Sequence, residues 1–549
     1  MNKLKIFVDN TEMQIEKGTS FKEVLDIKGA SDEVILCKLN GDIYELSDEI
    51  LEEGEITNIY AESEIGWKVY SRTLQFIFIT AALDVFPGAK IKIEHSISKG
   101  IFGEIIKDKS INDEEIKIIK NRMQEIIDQD IPIRKSIKKR EEAIEIFERY
   151  GMQDKVQLLH QSDFDTVKLY ELEGRYDYFY GDMAYSTGII KAFDLIRYAH
   201  GFVLRNPTEQ DIHSLSEFKE QKSLANIFYE TEEWLNILGV GEVASLNCKI
   251  MDNRQKEIIL ISEALHEKKI AYIADDIVSK KKAKVILIAG PSSSGKTTFA
   301  NRLGIQLRVN GVIPIRISLD DYFLERENTP RDENGNYDFE SIYAIDLETF
   351  NQDLKLLLKG EEVEIPSFNF KTGKREMIGH KVSLPYNGVV LIEGIHGLNP
   401  ILTSEIPKEN KYKIYVSALT QLNLDNHNRI ATTDVRKIRR IVRDYLSRGY
   451  GAEETLKMWP SIKRGEKRNI FTFQEEADVM FNSTLVYELS VLKPYAIKEL
   501  EQITKDSPVY DEARRLISFL NFFKEIKIED VLENSILREF IGGSCFYNY

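Results

Sequence analysis

A chain of 549 residues is too long for one hydrophobic core, and three or four domains are expected. Hydrophobic residues make up 42% and charged residues 30%, a globular composition, and no apolar run reaches the length of a membrane span. The formal net charge of −16 excludes a chain that coats nucleic acid non-specifically, while leaving room for local basic faces. Residues Met1 to Val8 lack the apolar stretch of a secretory signal. Cys37, Cys248 and Cys545 lie far apart and form no CxxC pair, which fits a reducing compartment, so a cytoplasmic, non-membrane location is expected.

Residues 1–63 read as a unit of short strands. Leu4–Val8 alternates, Val34–Leu39 is apolar, and Asn40-Gly41 is a hairpin-turn signal; Thr19–Leu25 reads as a helix start. Residues 64–232 mix both types: Asp113–Gln129 and Arg140–Tyr150 carry apolar positions at helical spacing, and Lys90–His95 alternates as a strand. Residues 233–284 read as a helical linker, dominated by Arg254–Asp276 and closed by Lys280-Lys281-Lys282. Across residues 285–503 strands alternate with helices, the pattern of a parallel sheet in an α/β domain. Residues 504–549 read as a helical tail with an apolar, glycine-containing end. The fold class is multidomain, α/β and α+β.

The sharpest motif is Gly290-Pro291-Ser292-Ser293-Ser294-Gly295-Lys296-Thr297, which fits G-x-x-x-x-G-K-[ST]. Before it stands the β-branched run Val285–Ala289, and after it Thr298–Leu303 continues at helical spacing. Glycines let such a loop curl until its N–H groups face phosphate oxygens, and the new helix adds its positive end. Gly290, Ser292, Ser293, Ser294, Gly295, Lys296, Thr297 and Thr298 are therefore candidate contacts to a nucleoside triphosphate. Lys296 would reach the terminal phosphates and Thr297 would ligate Mg²⁺.

Four segments follow. Asp320 and Asp321 end a short strand, where a carboxylate accepts a hydroxyl proton or holds Mg²⁺, or merely caps a turn. Val389–Ile392 is an apolar strand ending in Glu393, a metal-reaching position. Arg436, Arg440 and Arg443 share one helix face, and this bare arginine stripe running to Gly449 suggests a mobile lid over phosphates. Asn336–Phe339 and Ile365–Phe370 place polar groups beside aromatics, suited to a sugar and a base.

In this order the motifs resemble the uridine kinase and phosphoribulokinase branch of P-loop kinases. The resemblance implies ATP and Mg²⁺. It implies that Asp320 is the base on a 5′-hydroxyl and that Lys296, Arg443 and Arg448 are catalytic. Thr297, Asp320 and Glu393 would organise the metal, Asp338 would bind ribose hydroxyls, and Arg440 matches a lid arginine on the substrate side. The departures fall on base recognition. Phe368 stands where uridine–cytidine kinases carry a stacking Tyr, and Lys371–Lys374 holds no His for the pyrimidine edge. Tyr450 replaces an arginine after the lid.

Residues 1–63 resemble a TGS domain, a β-grasp module. Residues 64–232 are similar to the second additional domain of threonyl- and alanyl-tRNA synthetases. Its metal motifs are replaced by Tyr70–Leu74 and Asp182–Gly188, and His95 and His160 are left as lone histidines. The likeness implies a scaffold without metal-dependent editing, with RNA contact through the front half as an inherited role. The expected function is an ATP-dependent kinase of a ribonucleoside, uridine or cytidine first; related kinases are often homo-oligomers, and the sequence leaves the oligomeric state open. The alternatives are a phosphoribulokinase-like kinase of another acceptor and an ATP-switched regulator associated with RNA or ribosomes.

Overall fold

The structure is a computed structural model and describes residues 3–280, 282–332, 335–369, 372–377, 380–420 and 422–547. The chain packs as two compact units. One holds Met1–Glu220, Glu242–Ala244 and Asn423–Arg429; the other holds Gln221–Gly241, Ser245–Leu422 and Ile430–Tyr549. Among the described residues no helix is long and apolar enough to cross a membrane.

The first unit opens with a five-stranded mixed sheet laid against the helix Phe21–Lys28. Ser20 starts that helix through a reciprocal cap with Glu23, and Gly29 in the left-handed region ends it. Asn40 and Gly41 both take positive φ between Val34–Leu39 and Asp42–Glu45, as a two-residue hairpin requires. Beyond it the helix Glu64–Val85 is largely buried, in one apolar core with the antiparallel sheet of Lys90–Ile97, Gly100–Ile106, Asp194–Tyr198 and Gly201–Arg205. The hairpin Asn423–Arg429 is held in this unit by a buried ion cluster. Lys155 Nζ lies 3.0 Å from Asp177 and 2.8 Å from Asp425, and His427 Nδ1 lies 2.6 Å from Asp177. Burial pushes the Asp177 carboxyl up, but Lys155 and His427 outweigh it and bring it down to about 2.

The second unit is built on a parallel sheet. In chain order its strands are β1 (Val285–Ala289), β2 (Ile313–Ser318), β3 (Gly388–Glu393), β4 (Lys411–Ser417) and β5 (Val479–Asn482), arranged β2-β3-β1-β4-β5. Strands β1 and β3 are buried along their whole length, which explains their unbroken apolar runs. The loop after β1 leads into helix α1 (Lys296–Val309).

Two expectations about organisation meet a different structure. A helix, Lys222–Leu238, runs through the proposed boundary at 232, and 233–284 is not a linker. Its long helix Gln255–Ser279 forms a wall of the unit, where Glu263 and Glu267 hold the buried Arg302 of α1 at 3.0 and 2.8 Å. Hydrophobic periodicity cannot separate a wall helix from a linker helix. The tail is only partly helical, with Tyr510–Leu520 and one turn at Arg538–Ile541. Lys281, Phe370 and Lys371 lie outside the described residues.

Candidate active site

The loop Gly290–Thr297 joins β1 to α1 at the C-terminal end of the sheet, the edge where open α/β sheets take ligands. Its curvature depends on three positions. Ser293 and Gly295 take left-handed φ values of 59° and 83°, which turns successive N–H groups to one side. A side chain at Gly290 would place its Cβ 1.9 Å from the Val416 carbonyl oxygen, so only glycine fits. Lys296 Nζ donates to the Pro291 carbonyl at 3.1 Å, curling back over the loop. Burial lowers the Lys296 pKa, opposed by the fields of Glu393, Asp320 and Glu539.

The carboxylates sit on the neighbouring strand ends. Thr297 Oγ1 donates to Glu393 Oε1 at 3.3 Å, and Ser318 Oγ donates to the same oxygen at 3.4 Å. Burial and the nearby Asp320 push the Glu393 carboxyl up to about 7 despite Lys296. Asp320 follows β2 in the short helical turn Leu319–Tyr322, with its N–H on Ser318 Oγ at 3.3 Å. Asp321 is engaged elsewhere, its Oδ1 accepting the Phe368 N–H at 3.3 Å. The two adjacent acids are thus separated by geometry, with Asp320 left in the electrostatic field of Lys296 and Glu393.

The arginines are not a bare stripe. Helix α2 (Thr432–Arg443) is buried, and its arginines are paired. Arg436 binds the buried Glu466 and donates from Nε to the Ser292 carbonyl at 3.0 Å. Arg439 pairs with Glu488 and donates to the Ser293 carbonyl at 3.3 Å. These two side chains brace the phosphate loop from behind. Arg440 donates to Ser292 Oγ at 2.7 Å, and with Arg443 and Arg448 it surrounds the fully buried Asp444 at 3.0, 2.7 and 3.8 Å. The repulsion of Arg443, then burial, lowers the Arg448 pKa to about 10, against Asp444 and Asp320. Helical spacing showed the shared face but not Glu466 and Glu488, which come from later in the chain; Asp444, at i,i+4 to Arg440 and Arg448, was within its reach.

The acceptor-side candidates are spread out. Asp338 is partly buried, its Oδ1 accepting the Glu340 N–H at 3.2 Å. Phe368 packs into the core against Phe323, ring centroids 5.7 Å apart, and Tyr450 is 43% exposed. Sequence reasoning missed three acids at this site. Glu466 Oε1 accepts the Ser292 N–H at 3.0 Å. Glu539 Oε2 accepts the Thr298 N–H at 3.0 Å. Glu340 is pushed up to about 7 by burial and by Glu466. None stands in a motif; only the fold brings them here.

In the first unit the two altered motif segments meet. Tyr70 OH accepts the N–H groups of Lys191 and Ala192 at 3.0 and 3.1 Å, Thr73 Oγ1 accepts that of Ala184 at 3.1 Å, and Arg72 donates to the Asp182 carbonyl. Hydrogen-bonding side chains and a guanidinium fill this junction. His95 is buried against Phe102, and burial lowers its pKa to about 3; His160 is exposed.

Residues 285–490 match the Phosphoribulokinase / Uridine kinase family. This kinase-family domain contains the phosphate loop, Asp320, Glu393 and the α2 arginines, and it ends before Glu539. The N-terminal half is similar to threonine–tRNA ligases. That of Nitratidesulfovibrio vulgaris strain DP4 is 26% identical over 239 residues, 42% of this chain. That of Caldanaerobacter subterraneus subsp. tengcongensis is 28% identical over 233 residues, 41% of this chain. The chain spans 37% and 36% of the lengths of these two relatives. Among solved structures, a "Possible Uridine Kinase" from Bacillus stearothermophilus is 20% identical with a TM-score of 0.28, covering 39% of this chain and 98% of that one.

Proposed function

We propose that the second unit is a Mg²⁺- and ATP-dependent kinase that phosphorylates the 5′-hydroxyl of a ribonucleoside, uridine or cytidine first among them. The observation that carries this reading is the gathering of Lys296 and Thr297 on the glycine loop, and of Asp320 and Glu393, at the ends of β1, β2 and β3, where Thr297 meets Glu393 at 3.3 Å. The donor set fits a nucleoside triphosphate. The glycine-only approach at Gly290, the left-handed Ser293 and Gly295, and the start of α1 form an anion cradle. Thr297 and Glu393, an alcohol and a carboxylate in contact, are the oxygen donors that would hold a hard cation.

Bound Mg²⁺–ATP would supply the transferable phosphoryl group and the counter-charge for it. Asp320 takes the proton of the acceptor hydroxyl, while its neighbour Asp321 holds the Phe368 N–H through Oδ1. Lys296 and Arg448 stabilise negative charge on the phosphoryl oxygens, and Asp444 fixes the arginines that do so. Asp338 orients the sugar. ATP consumption with Mg²⁺ against ribonucleosides, deoxynucleosides and sugar phosphates tests the reading. Turnover with ribonucleosides supports it, and turnover with sugar phosphates alone moves the acceptor to the phosphoribulokinase type.

The likeness of the N-terminal half to threonine–tRNA ligases favours a second reading, RNA contact through that half. Turnover with no acceptor, together with co-purifying tRNA or ribosomes, would make ATP a switch for that contact.

A further inference from the structure

The C-terminal segment lies against the phosphate loop. Its turn Arg538–Ile541 presents Glu539, whose Oε2 accepts both the Thr298 N–H at 3.0 Å and the Thr298 hydroxyl at 2.9 Å. The Tyr547 hydroxyl also bonds to Thr298 Oγ1. Thr298 stands in the first turn of α1, where N–H groups have no partner within the helix. The next N–H, that of Phe299, returns to the Gly295 carbonyl at 3.0 Å, so that of Thr298 is the last in α1 without an acceptor in the helix. Ile536 closes over the loop itself: a Cβ at Gly295 would lie 2.6 Å from its Cγ2. Glu539 also contributes to the fields at Lys296 and Glu393. An anion thus sits on the helix N-terminus that the proposed function reserves for a phosphate.

We propose that Glu539 is a built-in phosphate mimic and that the C-terminal segment is an autoinhibitory plug of the nucleotide site. The inference rests on the reading of Gly290–Thr298 as a nucleotide site. A nucleotide phosphate and the Glu539 carboxylate both need the Thr298 N–H, and their negative charges repel, so binding one displaces the other. The backbone of the turn is anchored, and the parts displaced are the side chains of Glu539 and Tyr547. Ser535, Ile536, Leu537 and Phe540 are buried, and the Arg439 guanidinium lies 4.9 Å from the centre of the Phe540 ring. Beyond Ile541 the chain turns through Gly542 and Gly543 at φ 80° and 68°, which leads it on to Tyr547 beside Thr298. A cavity of about 310 Å³ beside them, lined by Arg443, Ser447, Glu539 and Tyr547 among others, gives the displaced side chains room. Apparent nucleotide affinity is then the intrinsic affinity multiplied by the fraction of molecules with Glu539 released.

The test is ADP binding to the full chain by calorimetry, with and without Mg²⁺, for wild type, Glu539→Gln, Glu539→Ala and Lys296→Ala. Glu539→Ala is expected to bind ADP about tenfold more tightly than wild type, with Glu539→Gln between them. Amide hydrogen exchange on the wild-type chain gives an independent reading: ADP should speed exchange across residues 542–547. Unchanged or weaker ADP binding by a folded Glu539→Ala overturns the plug, as does slower exchange across the tail on adding ADP. If the variants do not fold, the wild-type exchange result decides alone. ADP binding that ignores Lys296→Ala, or no binding by any form, overturns the nucleotide site itself and the plug with it.

Discussion

Thr297 and Glu393 are joined across two elements: the hydroxyl at the first turn of α1 donates to the carboxylate at the end of β3 at 3.3 Å. The parallel pairing of β1 with β3 sets this distance, because Ile288 lies opposite Glu393 and the phosphate loop begins immediately afterwards. On the proposed reading the contact holds two oxygen donors ready for one cation. Glu393→Gln is therefore expected to lower kcat/KM by about 10²–10³ and to raise the Mg²⁺ concentration for half-maximal rate. Combining it with Thr297→Val should cost less than the sum of the two changes, since both act on one ion. Fully additive losses in Mg²⁺ titrations of the four proteins would show that the pair does not share a metal.

Glu340 gives a pH-dependent prediction for the metal-free chain. Burial, then Glu466, raises its carboxyl to about 7 from an unfolded value near 4.5, against Arg440 and Lys296. A raised carboxyl contributes its stability below the unfolded pKa, and that contribution is lost as pH rises through the folded pKa. Glu340→Gln should then melt like wild type at about pH 4.5 and progressively higher than wild type as pH approaches 7. The gain should reach on the order of 2 kcal/mol, discounted for partial exposure. A constant difference across that range would show that Glu340 does not titrate there.

The motif residues were legible because each obeys a local rule. Val285–Ala289 is unbroken apolar sequence since β1 is covered on both faces, and Gly290 is glycine because the Val416 carbonyl leaves no room for a Cβ. The acids that complete the site follow no local rule. Glu466 and Glu539 lie far along the chain from the loop N–H groups they accept, and nothing in their neighbours marks them. The same limit misread the arginines. Arg436 and Arg443 share a face in sequence, but α2 packs so that Arg436 meets Glu466 behind the loop while Arg443 meets Asp444. Periodicity reports which residues share a face, not what that face is packed against.

That division of the arginines predicts different losses. Arg436 and Glu466 are both 2% exposed, so removing one partner leaves a buried uncompensated charge. Arg436→Met should destabilise the chain by about 3–5 kcal/mol in urea unfolding, and adding Glu466→Met should restore much of it. Arg448 is 34% exposed and 3.8 Å from Asp444, so Arg448→Met should leave stability within about 1 kcal/mol and lower turnover instead. Equal stability losses for Arg436→Met and Arg448→Met would refute this partition.

Asp320 and Asp321 offer the most direct contrast, since they are adjacent, chemically identical and differently used. Asp321 accepts the Phe368 N–H, and burial raises its pKa, so its carboxylate is committed to tying the turn after β2 to the strand Ser367–Asn369. Asp320 has its N–H on Ser318 and its charge in the field of Lys296, Glu393 and Arg448. Asp320→Asn removes the proposed proton acceptor while keeping its shape. Turnover should fall by about 10²–10⁴ with ATP affinity changed less than about threefold. Asp321→Asn keeps an oxygen for the Phe368 N–H and should cost turnover less than about tenfold. Rates measured under saturating ATP and acceptor decide between them. If Asp321→Asn is the variant that loses turnover, the base is the other carboxylate, and the turn must rotate before chemistry, releasing Phe368.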